Sequence, residues 1–140
     1  MPVKALIQTD KPLILIVDDA ALSLKMAAEI LGSKDFRLVL AESGDVALKF
    51  IAEHKPDLIL LDIVMPDMDG FAVCEKLKSS LDTAAIPVIF LTGRADNGDV
   101  TKSYGLGGSD YLTKPFNAIE MLAKVKTHLE LAQLKKITGQ

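Results

Sequence analysis

Four short apolar runs constrain the fold of this 140-residue chain more than any other feature of its sequence. Each is about six residues long, rich in branched aliphatic side chains and apolar at nearly every position. The runs are LILIVD (13–18), FRLVLA (36–41), DLILLD (57–62) and PVIFLT (87–92), and DYLTK (110–114) is a shorter fifth candidate. This pattern is typical of strands that are covered on both faces, as in parallel sheets.

Helical patterns separate the predicted strands. A stripe of four apolar residues predicts a helix over about 20–31, and Gly32 is placed to end it. Ser43 and Asp69 can each cap a further helix, and a last helix is predicted to start near Asn117. The predicted inward faces of these three helices are Val46, Ala47, Phe50 and Ile51; Val73, Cys74, Leu77 and Leu81; and Ile119, Leu122, Val125 and Leu129.

A fourth helix, over about 96–106, is the weakest prediction. Gly98 and Gly105 flank a stretch with few apolar anchors, and a glycine inside a helix costs about 1 kcal/mol relative to alanine. We therefore expect this element to be mobile. The whole pattern is a βα unit repeated five times, which predicts an α/β fold with a parallel sheet and helices on both faces. Such sheets bind ligands beyond the carboxyl ends of their strands.

Composition limits the classes of function. The net charge of −3 argues against direct nucleic-acid binding, and the single cysteine excludes an internal disulfide and fits a reducing cytosol. No apolar run approaches the roughly 18 residues of a membrane span, and the N-terminus lacks a signal-peptide layout. We expect a cytoplasmic protein with no membrane contact. The predicted organisation is a flexible leader (1–11), one domain (12–130), and a helical tail or start of a linker to an absent output domain (131–140).

Polar side chains end four of the five predicted strands. The first strand ends in Asp18 and Asp19, the third in Asp62, the fourth in Thr92 and the fifth in Lys114. Carboxylates that converge in one pocket repel each other, and a hard divalent cation such as Mg²⁺ relieves that repulsion. Such a pocket suits a phosphoryl group. A carboxylate can attack phosphorus, a metal ion can bridge oxygens, and an amine and a hydroxyl can hold the remaining phosphoryl oxygens.

Each of these residues has a simpler explanation when it is taken alone. A lone Asp18 is usually a loop residue or a helix cap, Thr92 a turn residue, and Lys114 a solvated charge. Their joint occurrence at four strand ends favours a functional site. His54 and His128 lack a carboxylate or cysteine at ligand spacing and are interpreted as helix-surface residues. Cys74 falls on an inward helical face and is assigned to core packing. Asp67 is interpreted as a turn residue and Asp69 as a helix cap.

Four segments closely resemble the receiver domain of two-component response regulators. They are the acidic pair Asp18-Asp19, LLDIVMPDMDG (60–70), FLTGR (90–94) and DYLTKPF (110–116), and the resemblance covers roughly residues 12–130. The four motifs are specific together, although no single one would be. The resemblance implies a doubly wound, flavodoxin-like sheet of five parallel strands in the order 2-1-3-4-5.

The resemblance also implies a role for each site residue. Asp62 is the expected phosphoacceptor, and Mg²⁺ is the expected cofactor. Asp19, Asp62 and the backbone carbonyl of Val64 would bind the ion directly, and Asp18 would act mainly through a water. Lys114 would pair with the phosphoryl oxygens, Pro115 would follow a cis peptide bond, and Thr92 and Tyr111 would be the switch residues.

The implied mechanism is phosphorylation of Asp62 by a histidine kinase or a phosphotransfer protein. The domain would catalyse only its own phosphorylation and dephosphorylation. The aspartyl phosphate would then alter the surface formed by helix 4, strand 5 and helix 5, through which the domain would dimerise or bind a partner. Val64 cannot orient an attacking water and the long side chain of Arg94 could shield the phosphoryl group, so we hypothesise a long-lived phosphoaspartate.

Two other interpretations are considered. An aspartate-based phosphohydrolase of the haloacid dehalogenase type would need a second Asp where this chain has Val64. Rapid turnover of small phosphate esters would support it. A receiver-like interaction module that takes no phosphate is the second alternative, and the presence of all the pocket residues argues against it.

Overall fold

The computed structural model describes residues 11–93, 102 and 104–138. Within these ranges five strands form one parallel sheet in the order β2-β1-β3-β4-β5, as the resemblance implied. The strands are β1 (Leu13–Val17), β2 (Arg37–Ala41), β3 (Leu58–Asp62), β4 (Val88–Thr92) and β5 (Asp110–Thr113). The helices are α1 (Ala21–Leu31), α2 (Gly44–Glu53), α3 (Gly70–Lys78) and a C-terminal helix (Ala118–Thr138).

Two predicted segments fall outside the described residues, wholly or in part. The leader is described only at residue 11, and the helix predicted over 96–106 only at 102 and 104–106. The C-terminal helix runs without a break across residue 130, where the predicted domain boundary lies. The division into leader, domain and tail therefore stays a prediction.

The core lies on both faces of the sheet. β3 and β4 are buried at every position, and β1 at all but its first. One buried cluster joins alternate strand residues to α2 and α3, and a second joins the intervening residues to α1 and the C-terminal helix. This alternation explains why the central runs are apolar at every position: neighbouring side chains enter different halves of the core.

Local signals place the helix ends. The Ser43 side chain accepts a hydrogen bond from the Val46 N–H, and the Asp69 side chain accepts one from the Ala72 N–H, so both predicted caps are confirmed. Gly32 follows α1 with a φ of 67°, a conformation that suits glycine at a helix end.

Three residues predicted to face inward are instead exposed. Val46 is 49% exposed because the buried stripe of α2 runs through Gly44, Ala47 and Ile51. Leu81 is 98% exposed because α3 ends at Lys78, so the helical period no longer applies there.

Ile119 is 82% exposed because the C-terminal helix buries Met121 and Val125. Two residues correspond to about 200° of helical rotation, which turns Ile119 away from the buried face. The predicted stripe was therefore wrong by two positions at its start, although Val125 is buried as expected.

The two histidines differ from each other. His54 is exposed, as predicted, and stacks on the Phe50 ring with centroids 5.1 Å apart. The prediction for His128 was wrong: its side chain is only 15% exposed, and Nε2 lies 3.0 Å from the Asp110 Oδ2. The contact joins positions 18 apart in sequence, so spacing along the helix could not reveal it. Cys74 is buried, in agreement with a packing role.

No helix within residues 11–93 and 104–138 has both the length and the apolar character that a membrane crossing requires.

The corrected face of the C-terminal helix makes a stability prediction. Met121→Ala should lower the free energy of unfolding by about 2–5 kcal/mol, because it empties a fully buried position. Ile119→Ala is the matched control on the same helix and should change the free energy of unfolding by less than about 0.5 kcal/mol, because Ile119 is exposed. Urea denaturation of both variants checks this, and equal losses would contradict the assigned face.

Candidate functional site

The carboxyl ends of the strands bring the predicted polar residues together. Asp18 follows β1 directly, Asp62 ends β3, Thr92 ends β4 and Lys114 follows β5. All four strands run in the same direction, so these positions share one edge of the sheet. β1 also separates β2 from β3, which makes this edge the point where strand order reverses.

Lys114 links two buried carboxylates. Its Nζ lies 2.8 Å from the Asp18 Oδ2 and 3.4 Å from the Asp62 Oδ1. Asp18 is fully buried and Asp62 is 3% exposed. The Lys114 N–H donates to the Thr92 carbonyl at 2.8 Å, and the Lys114–Pro115 peptide bond is cis. The lysine is thus held by the neighbouring strand while its amine reaches across to β1 and β3.

The Asp18 carboxylate is oriented by backbone groups. Its Oδ1 accepts a hydrogen bond from the Ala20 N–H at 3.0 Å, at the start of α1. The Asp18 N–H donates to the Ala41 carbonyl at 3.1 Å, which extends the pairing of β1 with β2. The second oxygen, Oδ2, is left to face Lys114 and the interior of the site.

The loop after Asp62 depends on a glycine whose role the sequence reasoning missed. A Cβ at Gly70 would lie 2.2 Å from the Asp62 carbonyl oxygen, so only glycine fits this close approach. The Gly70 N–H donates to the Ile63 carbonyl at 2.9 Å, and the loop turns through Asp67 with a φ of 68°. A glycine at the first position of a helix, where it lowers helix propensity, was the available signal.

Burial and charge perturb the ionisation of the site. Burial and the neighbouring Asp18 charge raise the pKa of Asp62 to about 7, although Lys114 acts in the opposite direction. Burial alone would lower the pKa of Lys114, but its contacts with Asp18 and Asp62 outweigh burial and raise it. The site therefore holds more negative charge than one lysine neutralises.

This donor set fits a divalent metal ion. Asp18, Asp19 and Asp62 each offer a carboxylate oxygen, and these atoms lie within 4.8 Å of one another. The buried Asp18 Oδ2 contacts the Lys114 Nζ at 2.8 Å, and the same amine also lies 3.4 Å from the Asp62 Oδ1, so one positive charge is shared between two carboxylates. Hard oxygen ligands with room for waters on the exposed Asp19 side suit Mg²⁺.

The remaining predicted residues lie around this centre. Thr92 is 3% exposed, whereas the Val64 side chain is 74% exposed beside the site. Tyr111 is partly buried, with the Lys124 Nζ 4.9 Å from its ring centroid and donating to its carbonyl at 2.8 Å. Arg94 lies outside the described residues.

A family model described as "response regulator receiver domain" matches residues 14–126. The chain belongs to this family. It is therefore a receiver domain of two-component signalling, and the family resemblance stated from the four motifs is confirmed.

Curated relatives share the domain but are longer. The chain is 36% identical over 127 residues to the transcriptional regulatory protein YvrH of Bacillus subtilis, covering 90% of this chain and 52% of that protein. It is 39% identical over 114 residues to the response regulator PleD of Caulobacter vibrioides, covering 81% of this chain and 25% of that protein. The chain thus spans a quarter to a half of these relatives.

Solved receiver structures have the same fold. The receiver domain of a signal transduction histidine kinase from Syntrophus aciditrophicus is 36% identical, with a TM-score of 0.78 over 85% of this chain and 90% of that one. A CheY-like response regulator receiver domain protein from Methanospirillum hungatei is 28% identical, with a TM-score of 0.83 over 90% of this chain and 99% of that one.

The raised pKa of Asp62 predicts how stability depends on pH in the metal-free domain. Between pH 3.8 and about 7 the folded domain keeps the Asp62 proton, whereas the unfolded chain has released it. The free energy of unfolding therefore falls as pH rises through this range and levels off above pH 7. Asp62→Asn removes this loss. The variant should therefore exceed the wild type in free energy of unfolding at pH 8, by up to a few kcal/mol, and by much less at pH 4.

Urea unfolding with a chelator present measures this difference. Asp82→Asn, at an exposed carboxylate between α3 and β4, is the control and should give no comparable gain. A gain for Asp62→Asn that is the same at both pH values would contradict the assigned ionisation.

Proposed function

We propose that Asp62 accepts a phosphoryl group from the phosphohistidine of a histidine kinase or of a phosphotransfer protein. The observation that carries this proposal is the buried Asp62 carboxylate, with the Lys114 amine 3.4 Å away and two further carboxylates within 4.8 Å. An aspartate with a purely structural role would not require a lysine and two further carboxylates around it. Membership of the receiver family supports the same assignment.

The transfer is a displacement at phosphorus. An Asp62 carboxylate oxygen forms the new O–P bond, the N–P bond of the donor breaks, and its electron pair stays on the histidine nitrogen. Asp62 must be deprotonated to attack, and the positive charge of Lys114 favours that form. Lys114 also lies where it can pair with the oxygens of the transferred group.

Mg²⁺ would be held by Asp19, Asp62 and the Val64 carbonyl, with Asp18 acting through a water. When bound, the ion supplies positive charge to the phosphoryl oxygens and offsets the carboxylate repulsion. Asp18 would also position Lys114. Its Oδ2 contacts the Lys114 Nζ at 2.8 Å and so holds the amine before the phosphoryl group is transferred.

The switch would run along β4 and β5. Thr92 ends β4 beside Thr113, and Tyr111 lies beside Phe90 two residues earlier. Attraction between the phosphoryl group and the Thr92 hydroxyl would draw that side chain inward, and Tyr111 would fill the space. The surface formed by the helix predicted over 96–106, by β5 and by the C-terminal helix would then change, and a second copy or another protein would bind there.

The domain on this account works in the cytoplasm and has no catalytic activity beyond its own phosphorylation and dephosphorylation. It contacts neither nucleic acid nor membrane directly. An output, where there is one, belongs to another part of a longer protein or to a partner.

A phosphorylation assay tests the acceptor. With Mg²⁺ and a phosphorylated histidine donor, the wild type should gain one phosphoryl group by intact-mass spectrometry, and Asp62→Asn should gain none. Asp67→Asn is the matched control, because Asp67 is an exposed carboxylate in the loop after Asp62 and asparagine tolerates its positive φ. Phosphorylation that persists in Asp62→Asn, or is lost in Asp67→Asn, would contradict the assignment.

The Val64 side chain predicts a long-lived phosphoaspartate. It is apolar and 74% exposed beside the site, so it cannot orient a water for attack on phosphorus. Val64→Asn should shorten the phosphoaspartate lifetime by roughly threefold or more, corresponding to about 0.7 kcal/mol or more in the barrier. Loss of the phosphoryl group, timed after removal of the donor, measures it. An unchanged lifetime would count against this role, and Val64→Ala controls for loss of bulk.

A further inference from the structure

The Lys124 amine joins the C-terminal helix to β5 through several contacts at once. Its Nζ donates to the Tyr111 carbonyl at 2.8 Å and lies 3.2 Å from the Asp110 Oδ1. The same Nζ is 3.4 Å from the Glu120 Oε2, one turn earlier on the helix, and 4.9 Å from the centroid of the Tyr111 ring. Ion pairs of exposed lysines contribute little on average. A partly buried amine with this many partners indicates a more specific role.

The position of β5 explains how one amine can reach both the backbone and the ring of Tyr111. Among the described strands, β5 pairs only with β4, so its other side is an open edge. The Tyr111 side chain packs on the half of the core that α2 and α3 cover, whereas the C-terminal helix packs on the other half. Lys124 therefore passes around the open edge of β5, and its amine approaches Tyr111 from the side opposite β4.

Neighbouring groups hold the Lys124 amine in place and in its charged form. The Asp110 Oδ1 also accepts a hydrogen bond from the Tyr111 N–H at 2.8 Å, and the Asp110 Oδ2 lies 3.0 Å from the His128 Nε2. Burial alone would lower the pKa of Lys124, but the contacts with Asp110 and Glu120 outweigh burial and raise it. The cation is thus fixed by a carbonyl and two carboxylates, whatever the orientation of the ring.

The contact with the ring differs from the others because it depends on the side-chain torsions of Tyr111. Rotation about the Cα–Cβ bond moves the ring but leaves the Tyr111 carbonyl where Lys124 binds it. A cation near an aromatic ring is attracted to it, which at a partly exposed site changes an equilibrium by roughly two- to fivefold. A ring that turned toward β4 and Thr92 would leave the amine and lose this attraction.

We propose that Lys124 is a positioning residue that holds the Tyr111 ring at the open edge of β5 and so opposes its movement toward Thr92. This role rests on the proposed function, in which the ring fills the space beside Thr92 when Asp62 carries a phosphoryl group. A contact made in only one of two ring orientations favours that orientation. Lys124 therefore disfavours the switched form through Tyr111, and not through the phosphoryl group itself.

A simpler role for Lys124 would be to link the C-terminal helix to β5. The contacts with the Tyr111 carbonyl and with Asp110 would serve that purpose, and neither of them involves the ring. Loss of such a link would lower the free energy of unfolding, but its effect would not depend on which side chain stands at position 111. The two roles are therefore separated by removing the ring.

NMR of the full chain tests the position of the ring. Three-bond couplings give the χ1 populations of Tyr111, and the chain has only one other tyrosine. Lys124→Met removes the charge but keeps a side chain of similar length, and should change the ratio of ring orientations by roughly two- to fivefold. Lys124→Arg keeps a cation that stacks on rings and should retain the wild-type ratio. Lys126→Met, at an exposed lysine on the same helix, is the matched control. An unchanged ratio in Lys124→Met would overturn the proposal.

Binding of beryllofluoride in the presence of Mg²⁺ tests the effect on the switch. Beryllofluoride stands in for a phosphoryl group on a carboxylate, so Asp62→Asn should abolish its binding. Lys124→Met should bind it roughly two- to fivefold more tightly than the wild type, because the ring no longer has to leave the amine. In a Tyr111→Leu background the same lysine substitution should have no effect. A gain of equal size in that background would overturn the proposal in favour of the simpler link.

The two experiments also separate this role from the proposed function. A wild-type chain that does not bind beryllofluoride, or binding that survives in Asp62→Asn, would contradict Asp62 as the acceptor. The χ1 populations of Tyr111 need no phosphoryl group, so they would still decide whether Lys124 holds the ring.

Discussion

The ion pairs of Lys114 with Asp18 and Asp62 are the interaction on which the rest of the site depends. One amine lies 2.8 Å and 3.4 Å from oxygens of two carboxylates that are almost completely removed from water. Isolated buried charges are costly, and a buried pair is maintained only when its geometry is good. Here the backbone supplies that geometry, through the Ala20 N–H on Asp18 and the pairing of Lys114 with Thr92.

The positive charge of Lys114 compensates the carboxylates only in part. Three carboxylates share a pocket with one lysine, and the pKa of Asp62 rises to about 7 because of burial and the Asp18 charge. The same excess of negative charge that disfavours the ionised Asp62 carboxylate when no metal ion is bound favours the binding of a divalent cation. The receiver fold thus concentrates negative charge at the carboxyl edge of its sheet, where Asp18, Asp19 and Asp62 meet.

The fold and the centre of the site could be predicted because both depend on strand ends. The apolar runs located all five strands to within one residue at each end, and parallel order then required Asp18, Asp62, Thr92 and Lys114 to meet. Helix faces were harder, because the start of a stripe depends on how the helix approaches the sheet. Ile119 looked equivalent to Leu122 by spacing, but Met121 occupies the core.

Contacts between distant positions were beyond sequence reasoning. The pairing of His128 with Asp110 joins a helix to a strand, and no local pattern marks it. Gly70 was noticed within a motif, but its packing against the Asp62 carbonyl requires the folded loop.

Titration of the Asp62 carboxyl carbon by ¹³C NMR tests most directly whether burial and the Asp18 charge perturb this carboxylate. In the metal-free domain we expect a midpoint near pH 7, and addition of Mg²⁺ should move the midpoint to lower pH because the ion stabilises the carboxylate. A midpoint near the ordinary value of 3.8 in the metal-free domain, unchanged by Mg²⁺, would show that Asp62 is not perturbed in this way.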